Sequence, residues 1–256
     1  MAGFGTGTNM RFDCMLKVLN TTTLTVTPRI GGAVFVDGNN YSLIEVITKA
    51  NTGLVAATLY YAYVYWTGTA LAIELSTTGY AANAEYGHYV KSGDASRTFV
   101  GMVYMDAGSP GTFVDSDAKR FCASYYNRIN KPVQRTVLTG NPNTTSTTYV
   151  ELTAGDKVEF ITFGEEWSNC YYSGCALNAT LGNVTGAAIG VNGTGTVLAP
   201  NLFNAPVALY AVPISGNIGY KFDPGYNYIN LIGISPGGTI ATFAGANCGF
   251  GAMLRQ

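Results

Sequence analysis

Charge is what this chain has least of. Asp, Glu, Lys and Arg make up 11% of its 256 residues, against roughly a quarter in an average soluble protein. The formal net charge is -1. A surface so short of charge must be built from Thr, Ser, Asn and Gly, and it repels copies of itself only weakly. That suits a protein held in an assembly better than a free monomer. Long apolar runs are missing too, so no membrane span is expected. The opening "MAGFGTGTNMRFDC" has neither the charged nor the apolar region of a signal peptide, and folding in a cytosol is expected.

Histidine occurs once, as His88, and cysteine five times: Cys14, Cys122, Cys170, Cys175 and Cys248. An odd number without a secretion signal argues against a disulfide framework and predicts reduced, buried thiols. Cys170 and Cys175 in "NCYYSGC" are near enough for a local disulfide. A zinc site would need four ligands, and the other cysteines are scattered singles. The triplets at Asn178, Asn183 and Asn192 match a glycosylation acceptor, but without a secretory route they carry no weight.

The same scarcity leaves catalytic chemistry poorly supplied. "GISPG" at 233–237 matches a nucleophile elbow, but Pro236 lacks the backbone N–H that the oxyanion hole requires, and no Asp, Glu or His follows Ser235. Pro-Gly-Gly reads as a turn. Cys122 with His88 is the one Cys–His pair available, and Cys122 sits beside Phe121, where a small packing residue is expected. Glu165 and Glu166 are adjacent, so on a strand they point to opposite faces and cannot flank one glycosidic bond. "GFGTG" at 3–7 lacks a phosphate-binding lysine. The chain is therefore expected to be no enzyme and to carry no cofactor and no metal.

What is abundant is strand chemistry: 18 Tyr, 32 Gly and many Thr and Val. Short aromatic and β-branched runs punctuated by Gly, Asn, Asp and Ser predict an all-β protein of antiparallel sandwiches. "TLYYAYVYW" places Tyr61, Tyr63 and Tyr65 on one face, with apolar residues on the other, so both faces should be covered. "TFVGMVYM" from Thr98 repeats the pattern. "DKVEFIT" alternates Lys157 and Glu159 with Val158 and Phe160, as a strand with one wet face would. "GYNYINLIGI" from Gly225 and "NCGFGAMLRQ" read as late strands.

One segment reads as a helix, near 116–128. Asp115 or Ser116 offers an N-cap, Ala118, Phe121, Cys122 and Tyr125 recur at spacings of three and four, and Pro132 ends it. Phe121, Cys122 and Tyr125 would form its apolar face and brace a β core. Lys119, Arg120 and Arg128 belong to a cluster of five cations without an acid between 119 and 135, available to a neighbouring acidic protein. With a slightly negative chain, nucleic acid is not the expected partner. Two modules follow from this layout: 1–131, with an N-terminal docking arm over about residues 1–12 and the helix, and 132–256, a jelly-roll-like sandwich. A single fused sandwich is the alternative.

The run from Leu59 to Arg128, through "LYYAYVY", "ALAIELSTTGY", "VKSGDASRTFVGMVYMD" and "GTFVDSDAKRFCASYYNR", resembles a module of bacteriophage virion proteins. "GYNYINLIGISPGGTIATF" is similar to the strand pair near the end of virion jelly rolls. The resemblance implies a non-enzymatic structural protein made in a bacterial cytoplasm and resident in the virion. It would be a head decoration or fibre, a homotrimer docked on capsid or tail proteins. Tyr61, Tyr63 and Tyr65 would serve its interfaces, because tyrosine buries area while keeping a polar tip. The rival implication is a tail-fibre or receptor-binding protein, with Trp167, Tyr171 and Tyr172 as a platform for host glycan; a depolymerase has least support.

Overall fold

The computed structural model describes residues 9–107 and 111–256; residues 1–8, most of the expected docking arm, lie outside the described residues. The rest of that arm belongs to the fold. Arg11 N donates to Asn40 Oδ1 (3.0 Å), Asn40 Nδ2 donates to Asn9 O (3.0 Å), and Phe12 bridges Val34. The chain divides into two units, one of Met1–Asp115, Phe121–Ile129 and Gln256, the other of Ser116–Arg120 and Asn130–Arg255.

Strand Asp94–Tyr104 organises the first unit. Leu59–Trp66 pairs along one edge, with Tyr61 opposite Met102 and Tyr63 opposite Phe99, and Leu71–Ser76 extends the sheet. Tyr89–Lys91 and then Cys122–Ser124 share the other edge. Phe99, Val100, Met102 and Val103 are all buried, so this strand is covered on both faces, as its two-sided pattern requires. A three-stranded sheet (Cys14–Asn20, Thr23–Pro28, Ile47–Ala50) and a hairpin (Ala33–Val36, Asn39–Ser42) supply Leu16, Val26 and Val34 to a core shared with Val64, Ile73, Val103 and Cys122.

The helix expected at 116–128 is absent. Lys119–Arg120 is instead a short parallel partner of Glu159–Phe160, and Cys122–Ser124 lies antiparallel to Gly101–Val103. Ser116 does not cap a helix: its N–H donates to Lys119 O (2.7 Å) and Lys119 N donates back to Ser116 O (3.2 Å), closing a tight loop. The reason lies in burial. Phe121, Cys122, Ala123 and Ser124 are buried in succession, which a strand covered on both faces satisfies and a one-sided helix does not. Among the described residues the sole helical element is the 3-10 turn Gly245–Asn247, and no helix is long and apolar enough to cross a membrane.

In the second unit two six-stranded sheets enclose one core. The first orders Lys119–Arg120, Lys157–Thr162, Gly225–Ile234, Val184–Val191 and Thr196–Asn204, with Val150–Glu151 also on Gly225–Ile234. The other orders Asn130–Arg135, Gly249–Arg255, Ser168–Asn178, Ala241–Phe243 and Asn143–Thr144, with Val212–Tyr220 also on Ser168–Asn178. Val158, Phe160, Ile189, Ile229 and Leu231 meet Val133, Tyr172, Phe243, Phe250 and Leu254 between them. Pro236–Gly238 is a turn closed by Gly238 N donating to Ser235 O (2.8 Å). Ser235 and Asn178 are both buried.

Candidate functional site

Of the predicted interface tyrosines one is covered by its own unit, and Tyr61 and Tyr65 are half-buried. Tyr63 is fully buried and its hydroxyl donates to Thr78 O (2.7 Å), which removes it as an interface residue. Tyr61 meets Tyr80 edge-on at 5.9 Å between ring centroids, and Tyr80 stacks on Phe99 at 4.1 Å. Tyr65 lies under the Arg97 guanidinium, 4.0 Å from its centroid. Arg97 Nε in turn bonds Glu74 Oε2 (2.8 Å), and Lys91 bonds Glu74 Oε1. Burial pushes the Glu74 carboxyl up, but these two cations outweigh it and hold it below the usual carboxylate range.

The cations predicted to await a partner have intrachain ones. Lys119 pairs with Glu159 (3.6 Å). Arg120 donates through Nε to Pro132 O (2.8 Å) and through Nη2 to Asp117 Oδ1 (3.1 Å). Arg128 donates to Tyr125 O (3.0 Å) and lies over the Tyr125 ring (4.6 Å). Tyr125 and Phe121 do face rings, Phe99 at 5.3 Å and Tyr104 at 5.0 Å, and Cys122 is buried. They pack within the first unit from a strand, Cys122–Ser124, and the residues just before and after it.

Cys14 and Cys170 are buried, and burial pushes each thiol up to about 12. Cys170 points into the core and Cys175, five residues on, to the opposite face, so no disulfide joins them. Among the described residues no group of three His, Cys, Asp or Glu is placed to hold a metal ion.

His88, in the polar sequence "EYGHYVKSGD", is buried among Phe12 (5.8 Å), Phe35 (5.1 Å) and Tyr86 (6.1 Å), with neither ring nitrogen hydrogen-bonded. Burial lowers its pKa from 6.5. The unfolded chain therefore takes up a proton near pH 6.5 that the folded chain refuses, and stability is lost as pH falls below that value. The Tm of the full chain should drop between pH 7.5 and 5.5, and His88→Leu should flatten that dependence. An unchanged slope in the variant contradicts the assignment.

The solvent-facing side of the Ser168–Asn178 sheet carries two neighbouring clefts. Asn169, Tyr171 and Ser173 point outward by strand parity, while Cys170 and Tyr172 point inward. Tyr172 is therefore removed from the predicted platform; its hydroxyl lies 3.0 Å from both Ala187 O and Ala199 O. Trp167, just before the strand, is 73% exposed and walls a cleft of about 510 Å³ with Asn130, Asn169, Met253 and Arg255. Tyr171 lines a second, of about 320 Å³, with Gln134, Arg135, Ser173 and Asn247. Its hydroxyl donates to Gln134 Oε1 (3.0 Å), reaching across Gly251, where a side chain would meet it at 2.9 Å. Sequence reasoning missed Asn130, Gln134, Gly219 and Gly251, whose placement comes from strand pairing.

No protein-family model matches the chain, and no curated protein sequence does. Solved structures similar to it include dimeric latent PorU from Porphyromonas gingivalis (9% identity, TM-score 0.32, 77% of this chain and 18% of that one). Another is the infectious bursal disease virus VP2 subviral particle (9%, 0.30, 97% and 74%). A third is a Bacillus thuringiensis Cry1Da tryptic core variant (9%, 0.26, 95% and 51%). The chain thus spans less than a fifth of PorU and about half of the Cry1Da core. What it does must be read from its own residues.

Proposed function

We propose that this chain is a non-enzymatic structural protein of a phage particle, with a jelly-roll-like second unit, self-assembling as a homotrimer on the virion exterior as a capsid decoration or head fibre. The observation that carries the self-assembly is an uncovered apolar surface on the first unit. Ile44 is 80% exposed and Trp66 is exposed beside it, flanking a cleft of about 320 Å³ with Leu43, Ile47 and Leu71; Ile30, elsewhere in this unit, is 97% exposed. Apolar groups left in solvent around one cleft are available for burial against another copy. Copies of a chain with net charge -1 meet little repulsion on approach. The motifs of residues 59–128 supply the virion context. Four buried thiols, at Cys14, Cys122, Cys170 and Cys248, and a buried Ser235 support the non-enzymatic role.

Light scattering on the purified chain should return three times the monomer mass. Ile44→Glu, at an exposed site, should return the monomer mass with an unchanged circular dichroism spectrum. A monomeric wild-type chain would overturn the assembly reading.

A further inference from the structure

We infer that the outward face of the Ser168–Asn178 sheet binds a neutral oligosaccharide, with one subsite at Trp167 and another at Tyr171. This inference does not depend on where the protein sits in a particle.

Both aromatic rings lie along the sheet at positions where the neighbouring strand has a glycine. The indole of Trp167 rests against Gly219, its Cε3 3.5 Å from where a Cβ would stand, and the Tyr171 hydroxyl fills the space beside Gly251. Gly219 faces Asn169 in register, and Gly251 faces both Tyr171 and Gln134. The bare backbone lets a flat ring lie on the sheet. For Trp167 that leaves much of the indole in solvent. The two are four positions apart, roughly 13 Å along an extended chain at ~3.3 Å per residue, so a chain of sugar rings can span them.

The rest of the face decides the ligand class. A pyranose offers an apolar C–H surface to an aromatic ring and a rim of hydroxyls that both donate and accept. The side chains around the rings include four amides and a hydroxyl, Asn130, Asn169, Gln134, Asn247 and Ser173, which also both donate and accept. The charges bordering the clefts are matched: Arg255 pairs with Glu166 (3.5 Å) and Arg135 with Asp156 (2.5 Å). A phosphate or sulfate would have to compete with a carboxylate for each guanidinium. A protein partner would want a larger apolar centre than Trp167 and Met253 provide. Two aromatic rings set among groups that both donate and accept match that ligand.

The test passes the full chain over immobilised neutral hexose and N-acetylhexosamine oligosaccharides, with sialylated and sulfated ones as a charged arm. Retention on neutral glycans is expected, and Trp167→Ala should weaken it ~10-fold, equivalent to about 1.4 kcal/mol. Trp167 is exposed, so the variant should keep the wild-type circular dichroism spectrum. A second readout uses Trp66→Phe, which leaves Trp167 as the sole indole of the two in the chain; its emission should shift to the blue as a retained saccharide is titrated in. No retention, retention on the charged arm alone, or retention that Trp167→Ala leaves unchanged would each overturn the inference.

Discussion

Replacing Asp156 by alanine should destabilise the second unit by about 3 kcal/mol, near the lower end for breaking a buried ion pair. Asp156 is only 4% exposed, yet it holds three groups. Oδ2 accepts from Thr139 N (2.6 Å), and Oδ1 accepts from Thr139 Oγ1 (2.9 Å) and pairs with Arg135 Nη2 (2.5 Å). Alanine strands the Thr139 amide and removes the counter-charge of Arg135. The guanidinium is about one third exposed, so water recovers part of its loss, which is why the larger figures for fully buried pairs do not apply. Asp156→Asn keeps the shape and an acceptor for Thr139 and should lose about half as much. Urea unfolding followed by tyrosine fluorescence measures both, and equal midpoints for Asp156→Ala and wild type would contradict the assignment.

Gly101→Val should cost the first unit about 3 kcal/mol, at the upper end for overpacking. A Cβ on Gly101 would stand 2.3 Å from the Ala123 carbonyl oxygen and 2.9 Å from Leu16 Cδ2. The strand Cys122–Ser124 would have to leave its partner, and with it would go the bond from Leu16 N to Ser124 Oγ (3.1 Å). A helix over 116–128 would not have made this pairing, so the variant also separates the two readings of the segment. A Tm within a degree or so of wild type, against the roughly 2–4 °C expected per kcal/mol in a chain of this size, would contradict the strand.

The β class was legible because it is written locally. The alternation in Leu59–Trp66 and the apolar run at 99–103 state their strands without outside help. Segment 116–128 was misread because three-and-four spacing and a run of buried neighbours coincide at Phe121 and Cys122; what decides between them is pairing with residues 101–103 and 159–160, which no local pattern records. The same holds for the candidate site. Trp167 and Tyr171 stand out in "EEWSNCYYSG", and strand parity sets Tyr172 on the opposite face from Tyr171. Gly219, Gly251 and Gln134 reach them only through a sheet whose strands are far apart in sequence. Cations predicted to await a neighbour were satisfied at home, since Glu159 and Pro132 come beside them only in the fold.

The central claim, that this chain is a structural part of a particle's exterior, is tested most directly by labelling purified, intact particles of the phage that encodes it with antibody against the full chain and imaging them by electron microscopy. The account predicts gold at regular positions on the particle surface. Particles that carry none of the chain, by label and by mass spectrometry of the same preparation, would contradict it.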